Sequence, residues 1–299
     1  MLEFGDVTKR YGRWSRPALA EFALKVEPGQ VVGLVGVNGA GKTTAIRIAS
    51  GVILPTSGSV TVDGHDLGAD KVRASKLIGW VPENPVHPLG IRLRTLMDYY
   101  AQMARVEPES ETAKLLGKWG LQGYEKSRFR TLSMGLKKRF ALAVSEIQYP
   151  RYFLLDEIFN GLDPVGAAMA KSWVADRRGA GCGLLISSHQ LHAVQELSDR
   201  VAIVHKGRLL DLIDTKLIPM SGNQTLRIVL DRVDDTALSV LRRFGSVRTE
   251  GRFVIVTADR IDAIALGQAV ENAGYAVKAL EWTETDLEEY FLERIGRSA

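Results

Sequence analysis

Short apolar runs broken by glycine make up the amino-terminal part of the chain. Residues 2–8 and 19–26 read as strands on either side of a turn at Tyr11-Gly12. Gln30-Val31-Val32-Gly33-Leu34-Val35 is apolar throughout, as a strand buried on both faces would be. Residues 44–50 then read as a helix stopped by Gly51. Two more strands, 58–64 and 77–81, precede the proline-rich loop Pro82-Glu83-Asn84-Pro85-Val86-His87-Pro88. From residue 92 to 149 strand character disappears. Leu93, Leu96, Met97, Tyr100 and Met103 recur at helical spacing, and 110–119 and 136–148 also read as helices. Strand and helix alternate again from 152 to 213, which predicts a mostly parallel sheet with a helical insertion.

At 214–224 the composition changes to Pro, Ser, Gly and Asn, as in a linker. Beyond it the pattern predicts strand 225–230, helix 234–243, strands 246–249 and 252–257, helix 260–273 and strand 275–282. That βαββαβ order is the split-βαβ, ferredoxin-like arrangement. A last helix, 286–295, opens on a capping box, Thr285 with Glu288. In strand 252–257, Phe253 and Ile255 face one way and Val254 and Val256 the other, so both faces of this sheet should be covered. Two helices can cover only one. The other face is left for the last helix, the first domain or a second subunit.

The pattern thus predicts an α/β chain of two domains. Residues 1–218 hold a mostly parallel sheet with a helical insertion. Residues 219–299 form an α+β domain with a final helix.

Composition narrows the setting. A chain of 299 residues is long enough for two cores, and 45% hydrophobic with 25% charged residues is ordinary for a globular protein. No apolar run approaches the roughly 20 residues of a membrane span. Acidic residues Glu3 and Asp6 near the start argue against a secretory signal. The single cysteine, Cys182, sits in an apolar run and cannot form an internal disulfide, which points to the cytoplasm. A net charge of +4 suits an anionic ligand or a membrane-facing surface, and is too small to argue for nucleic acid. Gly251-Arg252-Phe253-Val254 faintly resembles an RNA-binding element, but strand 226–230 has no aromatic on which a base could stack.

The chemistry centres on Gly36-Val37-Asn38-Gly39-Ala40-Gly41-Lys42-Thr43-Thr44. It fits the phosphate-loop pattern G-x-x-x-x-G-K-[ST] and lies between a predicted strand and a predicted helix. The glycines let successive N–H groups point into one concavity, and the helix N-terminus adds positive potential. Lys42 would reach the β- and γ-phosphates, and the Thr43 hydroxyl would ligate Mg²⁺. Asn38, Gly39, Ala40, Gly41 and Thr44 complete the cradle. Downstream, Phe153-Leu154-Leu155-Asp156-Glu157 is a buried strand ending in two acids, where open α/β sheets place functional groups. Asp156 suits Mg²⁺, and Glu157 suits the role of polarising an attacking water. A bound nucleoside triphosphate with Mg²⁺ is the ligand that these residues together imply.

Further motifs carry a family resemblance. Leu132-Ser133-Met134-Gly135-Leu136-Lys137-Lys138-Arg139 resembles the L-S-G-G-Q signature of ATP-binding cassette (ABC) ATPases, just before the second motif's strand. Asn160-Gly161-Leu162-Asp163-Pro164 resembles the family's D-loop, Ser187-Ser188-His189 its H-loop, and Tyr11 the aromatic that stacks on adenine. The motifs stand in the family's order over residues 1 to about 215. The resemblance implies a P-loop NTPase cassette, with an antiparallel β subdomain and a helical subdomain at about 84–149, that binds and hydrolyses ATP with Mg²⁺. It implies catalytic roles for Glu157 and His189, nucleotide contacts from Tyr11, residues 38–44, Ser133 and Gly135, and metal contacts from Thr43, Glu83 and Asp156. It also implies that the signature of one subunit closes head to tail on the nucleotide of another, as a homodimer or a paralogue heterodimer. The membrane-spanning transporter subunit would be encoded separately, with this chain at the cytoplasmic face of the membrane. Thr285-Asp286-Leu287-Glu288-Glu289-Tyr290-Phe291-Leu292 resembles the close of the exporter subgroup for drugs, lipids, polysaccharides or ions.

Three positions depart from the family pattern. Glu83 stands where Gln is usual, Met134 and Leu136 replace Gly and Gln in the signature, and Ile158-Phe159 follow Glu157 in place of Pro-Thr. The loop 83–89 and the helix bearing Met97, Tyr100 and Met103 are expected to dock the membrane partner. A soluble ABC ATPase without a membrane partner usually carries two cassettes or a long coiled coil, and this chain shows neither. A regulatory subunit without turnover is argued against by the presence of Glu157 and His189.

Overall fold

The structure, a computed structural model, describes residues 1–12, 15–217, 224–258, 261–283 and 287–296. The chain divides into two compact units, Met1–Ile213 and Asp214–Ala299. The predicted boundary at 218/219 lies outside the described residues, as does Thr285 of the capping box.

The first unit contains two sheets. Strands β1 (Leu2–Lys9), β2 (Leu19–Val26), β4 (Ser57–Val62) and β5 (His65–Asp66) form an antiparallel sheet in the order β2-β1-β4-β5. Strands β3 (Val31–Val35), β6 (Ile78–Val81), β7 (Tyr152–Asp156), β8 (Gly183–Ser187), β9 (Arg200–His205) and β10 (Arg208–Asp214) form the second, ordered β10-β9-β3-β8-β7-β6. Its inner pairs are parallel, and the non-consecutive neighbours are joined through helices. These helices are α1 (Lys42–Ala49), α2 (Lys71–Lys76), α6 (Pro164–Gly179) and α7 (Leu191–Leu197). Helix α2, with Ala74 as its one buried residue, falls in a stretch with no legible apolar period.

Alternate residues of the parallel strands feed two cores. Tyr152 and Leu154 pack with Val32, Leu34 and α1 toward the antiparallel sheet. Phe153 and Leu155 pack on the opposite side with α3 (Leu93–Ala104), α4 (Pro108–Lys118) and α5 (Met134–Glu146). Being buried on both faces explains why these strands read as unbroken apolar runs. The helical insertion is thus a layer on one face of the sheet, and it carries α5 past the end of β7.

Ile158 and Phe159 belong to that second core, fully and nearly fully buried. Their bulk fills space under the helical layer rather than crowding the cavity beside Glu157. The expected docking helix needs a correction. Met97 is buried, and Tyr100 packs against the same core, with its hydroxyl 2.8 Å from His87 Nδ1. Only Met103 stays outside, with Tyr99, Val86 and Leu89. Helical spacing identified the stripe, but most of that stripe faces inward.

In the second unit, β11 (Gln224–Leu230), β12 (Ser246–Glu250), β13 (Phe253–Ala258) and β14 (Val277–Thr283) form an antiparallel sheet ordered β12-β13-β11-β14. With α8 (Asp235–Leu241) and α9 (Ala263–Asn272) between them, this is the ferredoxin-like topology. Asp234 and Asp262 cap the two helices by accepting hydrogen bonds from first-turn N–H groups. Leu226, Ile228, Val254 and Val256 meet Ala237, Leu241, Leu266 and Val270 in one core, so both helices cover one face. Ile255, on the other face, is buried as well. The last helix, α10 (Leu287–Gly296), buries Leu287, Tyr290 and Phe291.

Candidate active site

Strand β3 ends at Val35, and the chain turns at once at Gly36. A Cβ there would lie 2.4 Å from the Val204 carbonyl oxygen, so only glycine lets the loop pass β9. Gly41, at φ 117°, caps α1 without a side chain, and its own Cβ would strike the Ala18 carbonyl at 2.6 Å. The free N–H groups of the first helical turn are therefore open to a ligand. Lys42 arches back over the loop and donates to the Gly36 carbonyl at 2.7 Å. Burial pushes its ammonium below the ordinary lysine range, and the carboxylates of Glu157, Asp156 and Glu83 oppose that.

The acid pair sits at the end of β7. Asp156 Oδ1 accepts from Ser187 Oγ at 2.7 Å and from Thr43 Oγ1 at 3.2 Å. Burial raises its carboxyl, and those two hydrogen bonds pull it back down. Glu157 adopts a left-handed backbone, φ 47°, which a non-glycine residue keeps only when its surroundings hold it there. Its N–H donates to the Ser187 carbonyl at 3.1 Å and to Ser187 Oγ at 3.0 Å. Its Oε2 accepts from the His189 N–H at 3.2 Å and lies 2.9 Å from His189 Nδ1. Its Oε1 is 4.0 Å from Lys42 Nζ.

These groups line a single cavity of about 530 Å³, formed by residues 38–44 with Ala18, Glu83, Glu157, Asn160 and His189. Asp156 lies beside it, bonded to Thr43. Tyr11 stands at the edge, 61% exposed, with its hydroxyl 3.4 Å from Thr44 Oγ1. An exposed ring beside the loop is available for stacking rather than spent on the core.

Ser133 and Gly135 are elsewhere. They line a second cavity of about 580 Å³ with Tyr124, Arg139, Gly161 and Asp163. Ser133 is the N-cap of α5, accepting from the Leu136 N–H at 3.3 Å. Gly135 lies inside the first turn, where a Cβ would come within 3.1 Å of the Gly161 carbonyl. Within one chain the two helix N-termini serve separate cavities.

Lys138 lies in the signature stretch, and the sequence motifs assign it no role. It is 1% exposed, and its amine donates to the main-chain carbonyl of Glu157. Gly135, Lys138, Arg139 and Leu142 fall on one helical stripe and are all buried, which apolar periodicity does not signal because two of the four are basic. Arg139 on the same stripe pairs with Asp163, tying α5 to the start of α6.

The glycine loop, its lysine and the acid pair define a P-loop nucleotide-binding protein. Comparison with known proteins narrows this further. The ABC transporter family profile matches residues 19–160. The chain is 32% identical over 210 residues to the lantibiotic transport ATP-binding protein SrtF of Streptococcus pyogenes, spanning 70% of this chain and 89% of that protein. It is 28% identical over 296 residues to the bacitracin transport ATP-binding protein BcrA of Bacillus licheniformis, covering 97% and 96%. Among solved structures, an ATP-binding subunit of an ABC transporter superposes with TM-score 0.68 at 25% identity, over 74% of this chain and 92% of that one. The chain belongs to the ABC transporter ATP-binding family.

Proposed function

We propose that this chain is the ATP-hydrolysing motor subunit of an exporter, driving a separate membrane subunit through ATP-dependent head-to-tail dimerisation. The observation that carries the proposal is the pair of cavities. One holds the phosphate loop and Glu157, the other holds Ser133 and Gly135, and the two share no lining residue. A second copy, or a paralogue, turned head to tail would bring the two together.

In this reading, residues 38–44 and the α1 N-terminus hold the phosphates, and Lys42 adds a charge-assisted contact. Tyr11 stacks on the adenine ring. Glu157 polarises water, while His189 orients its carboxylate and meets the γ-phosphate. The donor set fits Mg²⁺. Thr43, Asp156 and Glu83 offer oxygen ligands only, and among the described residues no cluster of His, Cys, Asp and Glu makes a cage by itself. Mg²⁺ is characteristically held by one or two carboxylates together with substrate phosphates. When bound, it neutralises charge on the phosphate oxygens.

Export is favoured by the relatives' names, which refer to lantibiotic and bacitracin transport, and by the carboxy-terminal match to the exporter subgroup. Among the described residues no helix is long and apolar enough to cross a membrane; in this reading the membrane subunit is encoded separately. The exposed Val86, Leu89, Tyr99 and Met103 offer it a docking surface. The chain would then sit at the cytoplasmic face of the membrane. The second unit acts as a regulatory or dimer-stabilising domain.

Phosphate release and size-exclusion chromatography test the proposal together. Glu157→Gln should hydrolyse ATP at least ~100-fold more slowly, the scale of a lost general base. With ATP and Mg²⁺ it should elute as a dimer, and Ser133→Arg should abolish that dimer. A Glu157→Gln protein that stays monomeric with ATP bound would overturn the head-to-tail reading.

A further inference from the structure

We propose that Lys138 is a positioning residue for hydrolysis, fixing the main chain of Glu157 from the helix that begins at Ser133. The proposal rests on the reading of Glu157 as the group that polarises water.

A lysine buried to 1% exposure is costly unless its charge is compensated. Among the described residues no carboxylate lies within ion-pair distance of Lys138. Its hydrogen bond is to the carbonyl of Glu157. Compensation comes from farther away, where Glu83, Glu157 and Asp156 together favour the charged amine. Burial dominates even so, and pushes the ammonium down to about 8. A lysine kept in this place at such a cost is not explained by helix propensity or by packing, which an apolar residue would serve better.

The partner atom supplies the explanation. Glu157 holds a left-handed backbone, so its conformation must be imposed from outside. Its N–H is tied to β8 through Ser187, and its carbonyl is tied to α5 through Lys138. With both backbone atoms anchored, the carboxylate leaves β7 in one direction. His189 on Oε2 then sets its rotation, and Oε1 is left facing Lys42. Loss of the Lys138 anchor would free the carbonyl and let the peptide relax, without touching a group that contacts the phosphates. The expected signature is lower turnover at unchanged affinity.

The test is made on the full chain. Lys138→Met keeps the length of the side chain and removes its charge and donor. It should lower kcat about tenfold, the scale of one charge-assisted hydrogen bond, with the KM and binding constant for ATP within about twofold. In a Glu157→Gln background, Lys138→Met should cause no further loss, because both changes act through one carboxylate. If Lys138→Met melts below the assay temperature, Lys138→Arg is read by the same split between kcat and KM, and should retain most of the turnover because it keeps the donor. Wild-type kcat in Lys138→Met beside an inactive Glu157→Gln would overturn the role of Lys138 alone. So would additive losses in the double variant, or a fall in affinity matching the fall in kcat. A Glu157→Gln protein with normal hydrolysis would instead overturn the reading of Glu157.

Discussion

Thr43 Oγ1 and Asp156 Oδ1 lie 3.2 Å apart, although 113 residues separate them in the chain. Ser187 Oγ donates to the same oxygen, so one buried carboxylate joins the phosphate loop, β7 and β8. Asp156→Asn retains an oxygen that can accept from both hydroxyls, and the fold should persist. The Mg²⁺ dependence of hydrolysis should be lost with the activity, by at least ~100-fold. Phosphate release across a Mg²⁺ titration, with nucleotide binding measured alongside, checks this. Hydrolysis that still saturates with Mg²⁺ would remove Asp156 from the metal site.

Glu83 lines the same cavity from the loop after β6. A carboxylate can ligate Mg²⁺ as the usual glutamine does, so Glu83→Gln should keep turnover within about threefold. Glu83→Ala should lower it roughly tenfold, the usual scale for a supporting ligand. Equal turnover in wild type and Glu83→Ala would exclude Glu83 from the site.

His87 makes a pH test possible. Its ring sits edge-on to Phe129 and Phe140, with centroids 4.9 and 5.1 Å away, and burial pushes its pKa down from 6.5 to about 4. The unfolded chain takes up this proton near pH 6.5, and the folded chain only near 4. Between those values the unfolded state holds more protons, so stability falls as pH drops and is unaffected above that window. The whole effect is about 2 kcal/mol after allowance for the partly exposed ring. Wild type should therefore lose about that much more stability than His87→Leu between pH 7 and pH 4. Denaturant melts of both proteins across this range measure it, and parallel pH curves would refute the assignment.

Among the described residues, the core of the second unit is formed by residues of that unit alone. Truncation after Pro219 should leave a cassette that melts cooperatively and binds ATP, with altered dimerisation or turnover. A folded fragment unable to bind ATP would show that the second unit contributes to the site.

The ferredoxin-like order of the second unit was readable because its elements are short and their apolar period switches cleanly between two and 3.6 residues. The helical insertion was readable as helix, but not in its burial. Met97 and Met103 belong to one run of helical spacing, yet six residues set them roughly 120° apart around the helix, and one is buried while the other is 66% exposed. Periodicity gives a face of a helix, and the neighbours decide how much of that face is covered.

By itself the sequence determined the phosphate loop, the strand-end acids and the order of the motifs. Each of these depends on contiguous residues whose backbone geometry is local: glycine before a helix N-terminus, acids at the end of an apolar strand. Only the tertiary structure decided that Ile158 and Phe159 fill a core and that Lys138 reaches the carbonyl of Glu157. Those outcomes depend on how three layers pack around β7. A side chain's surroundings there come from segments distant in sequence, and no local pattern encodes the distance between them.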